Sequence, residues 1–292
     1  MKNTLEVSPR DYHKKLTLNR ENIFDPDSWL STSTLKELRN CSLYRWRFAP
    51  KTFTGSAAAD WGNVIDCLVT TPDEIGDIVA EHDYDSFRTK EARAFRDDAI
   101  AQGKIVMTQA EMEKAKRAAS IIRTDPIAGP IIKKSKKQVV LLSQVKGVNF
   151  KGLVDLVPEN EPCLYDLKTI SDFSVGGISK AIQSFGYHIQ AALYLKLWNT
   201  LHPDDQRKKF RFIWQSSSSP YEVAITELPA FDIEAGSEWA AFQINRLTEA
   251  QNKNKWPNIV GDKIAIIGRP GYAEFKDIEE MDELPTAPTK DD

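Results

Sequence analysis

The chain has 292 residues, with 39 Lys and Arg against 42 Asp and Glu (net charge −3) and 41% hydrophobic residues. This composition is ordinary for a globular protein and excludes a fibrous repeat or a wholly disordered chain. Three widely spaced cysteines without a C-x-x-C pair argue against a disulfide framework, a structural zinc site and a four-cysteine iron–sulfur cluster.

Helical patterns dominate the first half of the chain. Residues 1–28 are predicted to form an irregular lead-in. Thr34, with Glu37 three residues later, forms a capping-box pattern that predicts a helix from residue 34 to about 46. Hydrophobic periodicity predicts three more helices, over residues 57–69, 89–103 and 108–124.

Short β-rich runs follow from residue 138 onwards. The first three are separated by Lys146-Gly147 and by a Pro-rich turn at 158–162, and such short connections predict an antiparallel meander. Further on we expect a helix, two strands and a closing helix, over residues 177–201, 211–219, 221–228 and 231–251. This order predicts one α/β domain in which helices pack on a central mixed sheet.

Two acidic residues and a lysine fall on neighbouring predicted strands. Asp155 lies in an apolar run, while Asp166 and Lys168 are two residues apart on the next strand and therefore share a face. If the turn at 158–162 pairs these strands, Asp155 lies beside Asp166. Adjacent carboxylates repel unless they share a cation, and Mg²⁺ or Mn²⁺ suits oxygen ligands. With a lysine that orients water or offsets phosphate charge, the group predicts metal-assisted phosphodiester hydrolysis.

The alternative is a solvated Asp–Lys ion pair on an exposed strand face. Asp155 speaks against it, because an apolar strand seldom carries an unpaired carboxylate.

The same stretch resembles the core of the PD-(D/E)xK nucleases. Gly-Leu-Val-Asp155 is followed after eleven residues by Asp166-Leu-Lys168-Thr, as in the exodeoxyribonuclease VIII (RecE)-like and lambda-exonuclease-like branch of phage enzymes. Three more stretches are similar to that branch's Ser-rich helix cap, Gly-x-x-x-His helix and Gln-x-x-x-Tyr helix, at residues 30–35, 61–66 and 185–194. The likeness covers roughly residues 28–250 and implies a restriction-endonuclease-like core.

The resemblance implies roles for individual residues. Asp155 and Asp166 correspond to metal ligands, and Lys168 to the group that positions the attacking water. Gln190 and Tyr194 are one helical turn apart and correspond to a catalytic pair that faces the active site and the DNA backbone. The alternative for this pair is a buried tyrosine beside a hydrogen-bonded glutamine.

Asp66 departs from the family pattern, which commonly has His at this position as a third metal ligand. A carboxylate coordinates Mg²⁺ at least as well as imidazole, so we expect Asp66 to be a metal ligand; a helix-surface Asp is the alternative. The strand at 138–144 also lacks the acid that some relatives place before the core, and its Gln138 and Gln144 offer only amides. These departures leave open a weak or inactive member.

The resemblance implies a Mg²⁺-dependent exonuclease, with Mn²⁺ as a substitute, that hydrolyses double-stranded DNA ends in the 5′→3′ direction for phage-type homologous recombination. It also implies a ring-shaped homo-oligomer and a single-strand annealing protein as partner. Two alternatives remain: a structure-specific endonuclease on the same core, and a catalytically weak DNA- or protein-binding module.

Residues 29–254 are expected to form the nuclease domain, and residues 255–292 an extension whose acidic end, 277–292, is disordered. No apolar run reaches the roughly 18 residues of a membrane span, and no signal-peptide stretch is present. We therefore expect no membrane contact and a cytoplasmic location, and the resemblance to phage enzymes implies a phage-infected or prophage-carrying bacterial host. Three histidines lack partners at ligand spacing and are expected at the surface: His13, His82 and His202.

Three basic groups are candidate phosphate contacts, although each can also be a plain solvated face. The groups are Arg39, Arg45, Trp46 and Arg47; Lys133, Lys134, Lys136 and Lys137; and Arg207, Lys208, Lys209 and Arg211.

Overall fold

A mixed β-sheet lies at the centre of the computed structural model, which describes residues 7–50, 55–261 and 263–270. The strands in these ranges are β1 (Leu30–Ser31), β2 (Val79–His82), β3 (Ile105–Thr108), β4 (Ser135–Val145), β5 (Val148–Pro158), β6 (Cys163–Ile170), β7 (Lys209–Ser216) and β8 (Val223–Glu227). Six of them form one sheet in the order β1-β5-β6-β7-β8, with β4 also paired to β5. The remaining two, β2 and β3, form a separate parallel pair.

Helices cover both faces of the sheet. Those in the described ranges are α1 (Tyr12–Lys15), α2 (Thr32–Lys36), α3 (Leu43–Phe48), α4 (Ala57–Thr70), α5 (Ile75–Ile78), α6 (Lys90–Ala101), α7 (Gln109–Thr124), α8 (Ala128–Lys133), α9 (Val175–Phe185), α10 (Tyr187–Leu201) and α11 (Ala230–Lys253). Because successive strand residues point to opposite faces, Phe212 packs with α10 and α11, while Ile213 packs with α4 and α7. The predicted α/β architecture with a central mixed sheet is confirmed.

The predicted meander is formed by β4, β5 and β6. The first two strands pair along their whole length around a two-residue turn, in which Lys146 and Gly147 both have positive φ, 52° and 81°. Such a turn matches the twist of the flanking strands. By contrast, β5 and β6 share the single bridge Leu156–Tyr165, and β6 continues in parallel with β7.

Two predicted helices are interrupted. Instead of one helix over 34–46, α2 ends at Lys36, a 3₁₀ turn follows, and α3 starts anew because Ser42 accepts a hydrogen bond from Arg45 N–H. The helix predicted over 177–201 breaks at Gly186, which has φ 61° and ψ 43° and separates α9 from α10. The strands β2 and β3 were not predicted, because four-residue strands between helices have little periodicity of their own.

His82 is buried, at 8% exposure, contrary to the prediction of a surface position. Its ring packs among Tyr84, Phe87 and Phe95, with centroid distances of 5.8, 4.8 and 6.1 Å. The histidine is therefore part of the packing of the small region built on β2 and β3.

Segments near both ends of the described chain contribute to the core. Leu16 and Ile23 are buried, and Trp256 stacks on Trp46 at a centroid distance of 6.4 Å. The predicted acidic tail, 277–292, lies outside the described residues. No described helix is both long enough and apolar enough to cross a bilayer.

Candidate active site

The site is built where β5 and β6 separate. Asp155 and Asp166 each adjoin the single bridge between the two strands, Leu156–Tyr165. Beyond that bridge Asp155 Oδ2 accepts a hydrogen bond of 2.7 Å from Leu167 N–H. A side-chain oxygen thus takes the place of a backbone acceptor at the point where the strands part, and it holds the Asp155 carboxylate next to β6.

Asp166 lies at the centre of a polar network and is only 2% exposed. Its Oδ1 accepts a hydrogen bond of 2.7 Å from Gln190 Nε2 on α10, and its Oδ2 forms an ion pair with Lys168 Nζ. The structure therefore brings together Asp166 and Lys168, which share a face of β6, and Gln190, which the resemblance places at the active site.

Asp66, on α4, approaches the Asp155 and Asp166 carboxylates from the other face of the sheet. A Cβ on Gly62 would lie 3.4 Å from Thr169 Oγ1, so α4 passes close to β6 at this glycine. Asp66 follows one helical turn later and is half-buried. Its Oδ2 accepts a hydrogen bond from Gln138 Nε2, whereas its buried Oδ1 has no hydrogen-bond partner among the described residues.

Gln138 connects the two sides of the site. It lies opposite Asp155, between the paired residues of β4 and β5, and its φ of 50° is unusual for a residue with a side chain. Its Nε2 lies 2.9 Å from Asp66 Oδ2, 3.2 Å from Thr70 Oγ1 and 3.5 Å from Asp155 Oδ1. From the sequence Gln138 offered only a weakly contributing carbonyl oxygen; in the structure its amide nitrogen faces the carboxylates.

Two carboxylates of the site, Asp66 and Asp155, have raised pKa values. Burial, together with repulsion from Asp166, raises the pKa of Asp66 from 3.8 to about 7. Burial and repulsion from Asp166 and Asp66 raise the pKa of Asp155 well above its usual range, although Lys168 and the Leu167 N–H oppose this. Negative charge is therefore in excess at this site and favours a bound cation.

Lys168 remains an ammonium group at neutral pH. Burial lowers its pKa, but attraction to Asp166 and Asp155 outweighs burial and raises the pKa above its ordinary value. The Nζ atom also lies 5.0 Å from the centroid of the Tyr187 ring, at cation–π distance. Lys168 can therefore donate hydrogen bonds to water or to a phosphate oxygen, and it is a poor general base.

A second lysine, Lys36, approaches the same ring from α2. Its Nζ lies 5.6 Å from the Tyr187 centroid and donates a hydrogen bond of 2.9 Å to Phe185 O. Burial and the nearby Lys168 lower the pKa of Lys36 to about 8. Lys36 and Tyr187 were not predicted, because only the tertiary structure places α2 next to the start of α10.

Gln190 and Tyr194 occupy different environments on α10. Gln190 is 8% exposed, and its Nε2 donates the hydrogen bond to Asp166 Oδ1. Tyr194 is 9% exposed and belongs to the hydrophobic core, where its ring would be 3.2 Å from a Cβ on Gly152. A glycine on β5 thus makes room for the tyrosine, which supports the strand that carries Asp155.

The chemistry of the site fits a divalent cation. Within the described residues, no group of three or more His, Cys, Asp or Glu side chains is already arranged around a common point at ligand distances. Carboxylate oxygens are nonetheless hard ligands. No described group donates a hydrogen bond to Asp66 Oδ1, and burial with repulsion from Asp166 raises the pKa values of Asp66 and Asp155. Asp66, Asp155 and Asp166 are the residues that would hold the ion.

A solved structure shares this fold. A protein from Eubacterium rectale described as a candidate exonuclease superposes with a TM-score of 0.60 and 13% identity, over 93% of this chain and 98% of that one. A phage-related exonuclease from Haemophilus somnus 129PT matches at TM-score 0.34 and 11% identity over 84% and 96% of the two chains. An alkaline exonuclease from Laribacter hongkongensis matches at 0.27 and 15% over 67% and 95%.

Among curated proteins, none matches the sequence. The family described as a PDDEXK-like domain of unknown function (DUF3799) matches residues 31–267, which include every predicted site residue. The structure unites the Asp155, Asp166 and Lys168 side chains of the D…DxK pattern on two adjoining strands of a mixed sheet. The chain therefore belongs to the PDDEXK-like family, as its resemblance to the PD-(D/E)xK nucleases predicts.

Proposed function

We propose that the protein is a divalent-metal-dependent nuclease that hydrolyses phosphodiester bonds at double-stranded DNA ends. The observation that carries this proposal is the convergence of Asp66, Asp155 and Asp166 with the ammonium group of Lys168. An acidic cluster that favours a cation, with a fixed positive charge beside it, suits attack by water on a phosphodiester.

When bound, Mg²⁺ or Mn²⁺ would supply Lewis acidity toward a phosphate oxygen and lower the pKa of a water. Lys168, held by Asp166, donates hydrogen bonds that orient the attacking water or offset charge on the phosphate. Gln190 and the Leu167 N–H fix one oxygen each of Asp166 and Asp155, which preserves the direction of the carboxylates. Gln138 keeps Asp66 turned toward Asp155.

The finer assignments rest on the resemblance to RecE-like and lambda-exonuclease-like enzymes. They comprise exonucleolytic action in the 5′→3′ direction, a role in phage-type recombination, a ring-shaped homo-oligomer, a single-strand annealing partner and a cytoplasmic location in a bacterial host. The candidate exonuclease from Eubacterium rectale has the same fold and supports an exonuclease over an endonuclease.

The test compares linear with covalently closed circular duplex DNA in Mg²⁺, for the wild type and for Lys168→Ala. We expect the wild type to digest the linear DNA only, because an exonuclease needs a DNA end. Lys168→Ala should lose this digestion, because no other described cation forms an ion pair with Asp166. Cutting of the circles would replace the exonuclease by an endonuclease. Absence of cutting in Mg²⁺ and Mn²⁺ by a folded protein would refute the proposal.

A catalytically weak binding module is the second candidate. It is favoured by the hydrogen bonds that already occupy Asp155 Oδ2 and Asp166 Oδ1, and by Gln138, an amide at a strand position where some relatives have an acid. Duplex binding that persists without hydrolysis in either metal would support it.

A further inference from the structure

The three basic groups of the sequence are used differently by the fold. In the group at 207–211, Arg207 is only 4% exposed and donates hydrogen bonds of 2.9 and 2.8 Å to Pro158 O and Cys163 O. Arg211 forms ion pairs with Glu161 and Glu227. These two arginines bind strands and turns of the protein itself, so their charges are not available to a ligand.

The group at 39–47 is also largely engaged. Arg39 donates to Ser184 O and Gln183 O at the end of α9, at 2.9 and 2.7 Å. Trp46 is 1% exposed, and the Arg47 guanidinium lies 5.0 Å from the Phe48 ring. This segment fastens α2 and α3 to the core.

The third group has its charges free. Lys133, Lys134 and Lys137 are exposed and, with Arg123, line a groove of about 620 Å³ between the end of α7 and the start of β4. None of the four forms an ion pair with an acid in the described part of the chain. The acid in the groove wall, Asp125, turns Oδ1 to the backbone N–H groups of the following turn. The groove therefore carries an excess of positive charge.

The groove and the candidate active site share strand β4. Lys137 directly precedes Gln138, so their Cα atoms are about 3.8 Å apart. The register sets Lys137 opposite Leu156, the residue after Asp155. The short helix α8, which forms one wall, packs on β4 and β5. A phosphate backbone lying in the groove would thus lie beside the start of the strand that carries Gln138.

We propose that this groove, lined by Arg123, Lys133, Lys134 and Lys137, binds the phosphate backbone of the duplex that enters the active site. The inference rests on the proposed nuclease function and names the surface that holds its substrate. Lysine ammonium groups act as point charges toward phosphates, and unpaired lysines in a concave surface release counterions when DNA binds. Charge complementarity and the proximity to Gln138 select a nucleic-acid backbone as the occupant.

The test measures binding of a fluorescent linear duplex in EDTA, which stops metal-dependent cleavage, over a range of salt concentrations. The groove variant is Lys133→Gln/Lys137→Gln. The matched control is Lys90→Gln/Lys114→Gln, which removes the same charge from exposed positions on α6 and α7. A conservative variant, Lys133→Arg/Lys137→Arg, keeps the charge in the groove.

Each lost phosphate contact reduces the magnitude of the slope of log K against log salt by about 0.9. The groove variant loses two lysines, so its slope should be smaller by about 1.8, and it should bind the duplex on the order of 60-fold more weakly at 0.1 M salt. The control and the arginine variant should keep the wild-type slope. A wild-type slope in the groove variant, or an equal loss in the control, would overturn the inference.

The outcome is separable from the proposed hydrolysis. If the wild type digests DNA in Mg²⁺ while the groove variant binds normally, the groove inference alone fails. If the groove variant loses binding but the wild type cuts no DNA, the groove stands and the nuclease proposal fails.

Discussion

Replacement of Asp66 by Asn should stabilise the protein at alkaline pH. In the folded chain, burial and the Asp166 charge raise the pKa of Asp66 to about 7, against a reference value of 3.8. The folded state therefore binds the proton more tightly than the unfolded state does. Proton binding by Asp66 therefore adds to the free energy of unfolding. This contribution is full below pH 3.8 and is lost as the pH rises through 7. At about 1.4 kcal/mol per pKa unit, the rise from 3.8 to about 7 makes ionisation of this carboxylate cost the folded state about 4 kcal/mol above pH 7. This value is an upper bound, because the side chain is only half-buried and solvent screens part of the charge.

The assay is thermal unfolding in EDTA at pH 5 and pH 8. With an unfolding entropy of about 2.1 cal/mol/K per residue, 4 kcal/mol corresponds to a rise in Tm of at most about 7 °C for Asp66→Asn at pH 8. At pH 5 the rise should be smaller, because the wild-type carboxyl is then mostly protonated. Asp204→Asn is the control: Asp204 is exposed and should give no rise at either pH.

Addition of Mg²⁺ at pH 8 should raise the Tm of the wild type more than that of Asp66→Asn, since a cation offsets the charge that the substitution has removed. A Tm for Asp66→Asn equal to or below that of the wild type at pH 8 would refute the reasoning. It would mean that Asp66 is well solvated or that Gln138 already compensates its charge.

Three further predictions concern the supports of the site. Gln138→Gly should be more stable to urea than Gln138→Ala by about 1 kcal/mol, because both lose the amide but only glycine tolerates φ 50° without strain; the reverse order would contradict it. Gly186→Ala should lower the free energy of unfolding by about 1–2 kcal/mol, because φ is 61° and a Cβ would lie 3.1 Å from Arg39 and Lys36; an unchanged urea midpoint would count against this. Tyr187→Leu should reduce kcat for DNA cleavage by about tenfold, because the lost cation–π contact to Lys168, which is partly desolvated, is worth about 1–2 kcal/mol. Tyr187→Phe keeps the ring and should retain the rate. Equal losses in both variants would exclude the ring as the cause.

Much of the fold follows from local patterns. Short β-rich runs locate β4 to β8, and the Lys146-Gly147 dipeptide specifies the tight turn between β4 and β5. The breaks in the two interrupted helices were not predicted, because each break depends on a single residue. Ser42 caps a new helix, and Gly186 ends one in a left-handed conformation, yet both lie inside apolar periodicity that continues across the break.

The sequence by itself determined the acidic core of the site. A carboxylate in an apolar strand needs a partner, and a two-residue spacing places Asp166 and Lys168 on one face; both statements depend only on strand geometry. The tertiary structure alone decided what surrounds them. Gln138, 72 residues from Asp66, joins it to Asp155, and Lys36 reaches Tyr187 from another helix.

The same division holds for the basic groups. By sequence the arginines at 207 and 211 and the lysines at 133–137 are equally good candidates for phosphate contacts, because each is a run of positive charge. Arg207 is occupied by backbone carbonyls and Arg211 by glutamates, while the lysines have no acid partner within the described chain. Availability of a charge depends on which groups the fold brings within a few ångströms of it, and those contacts come from residues far away along the chain.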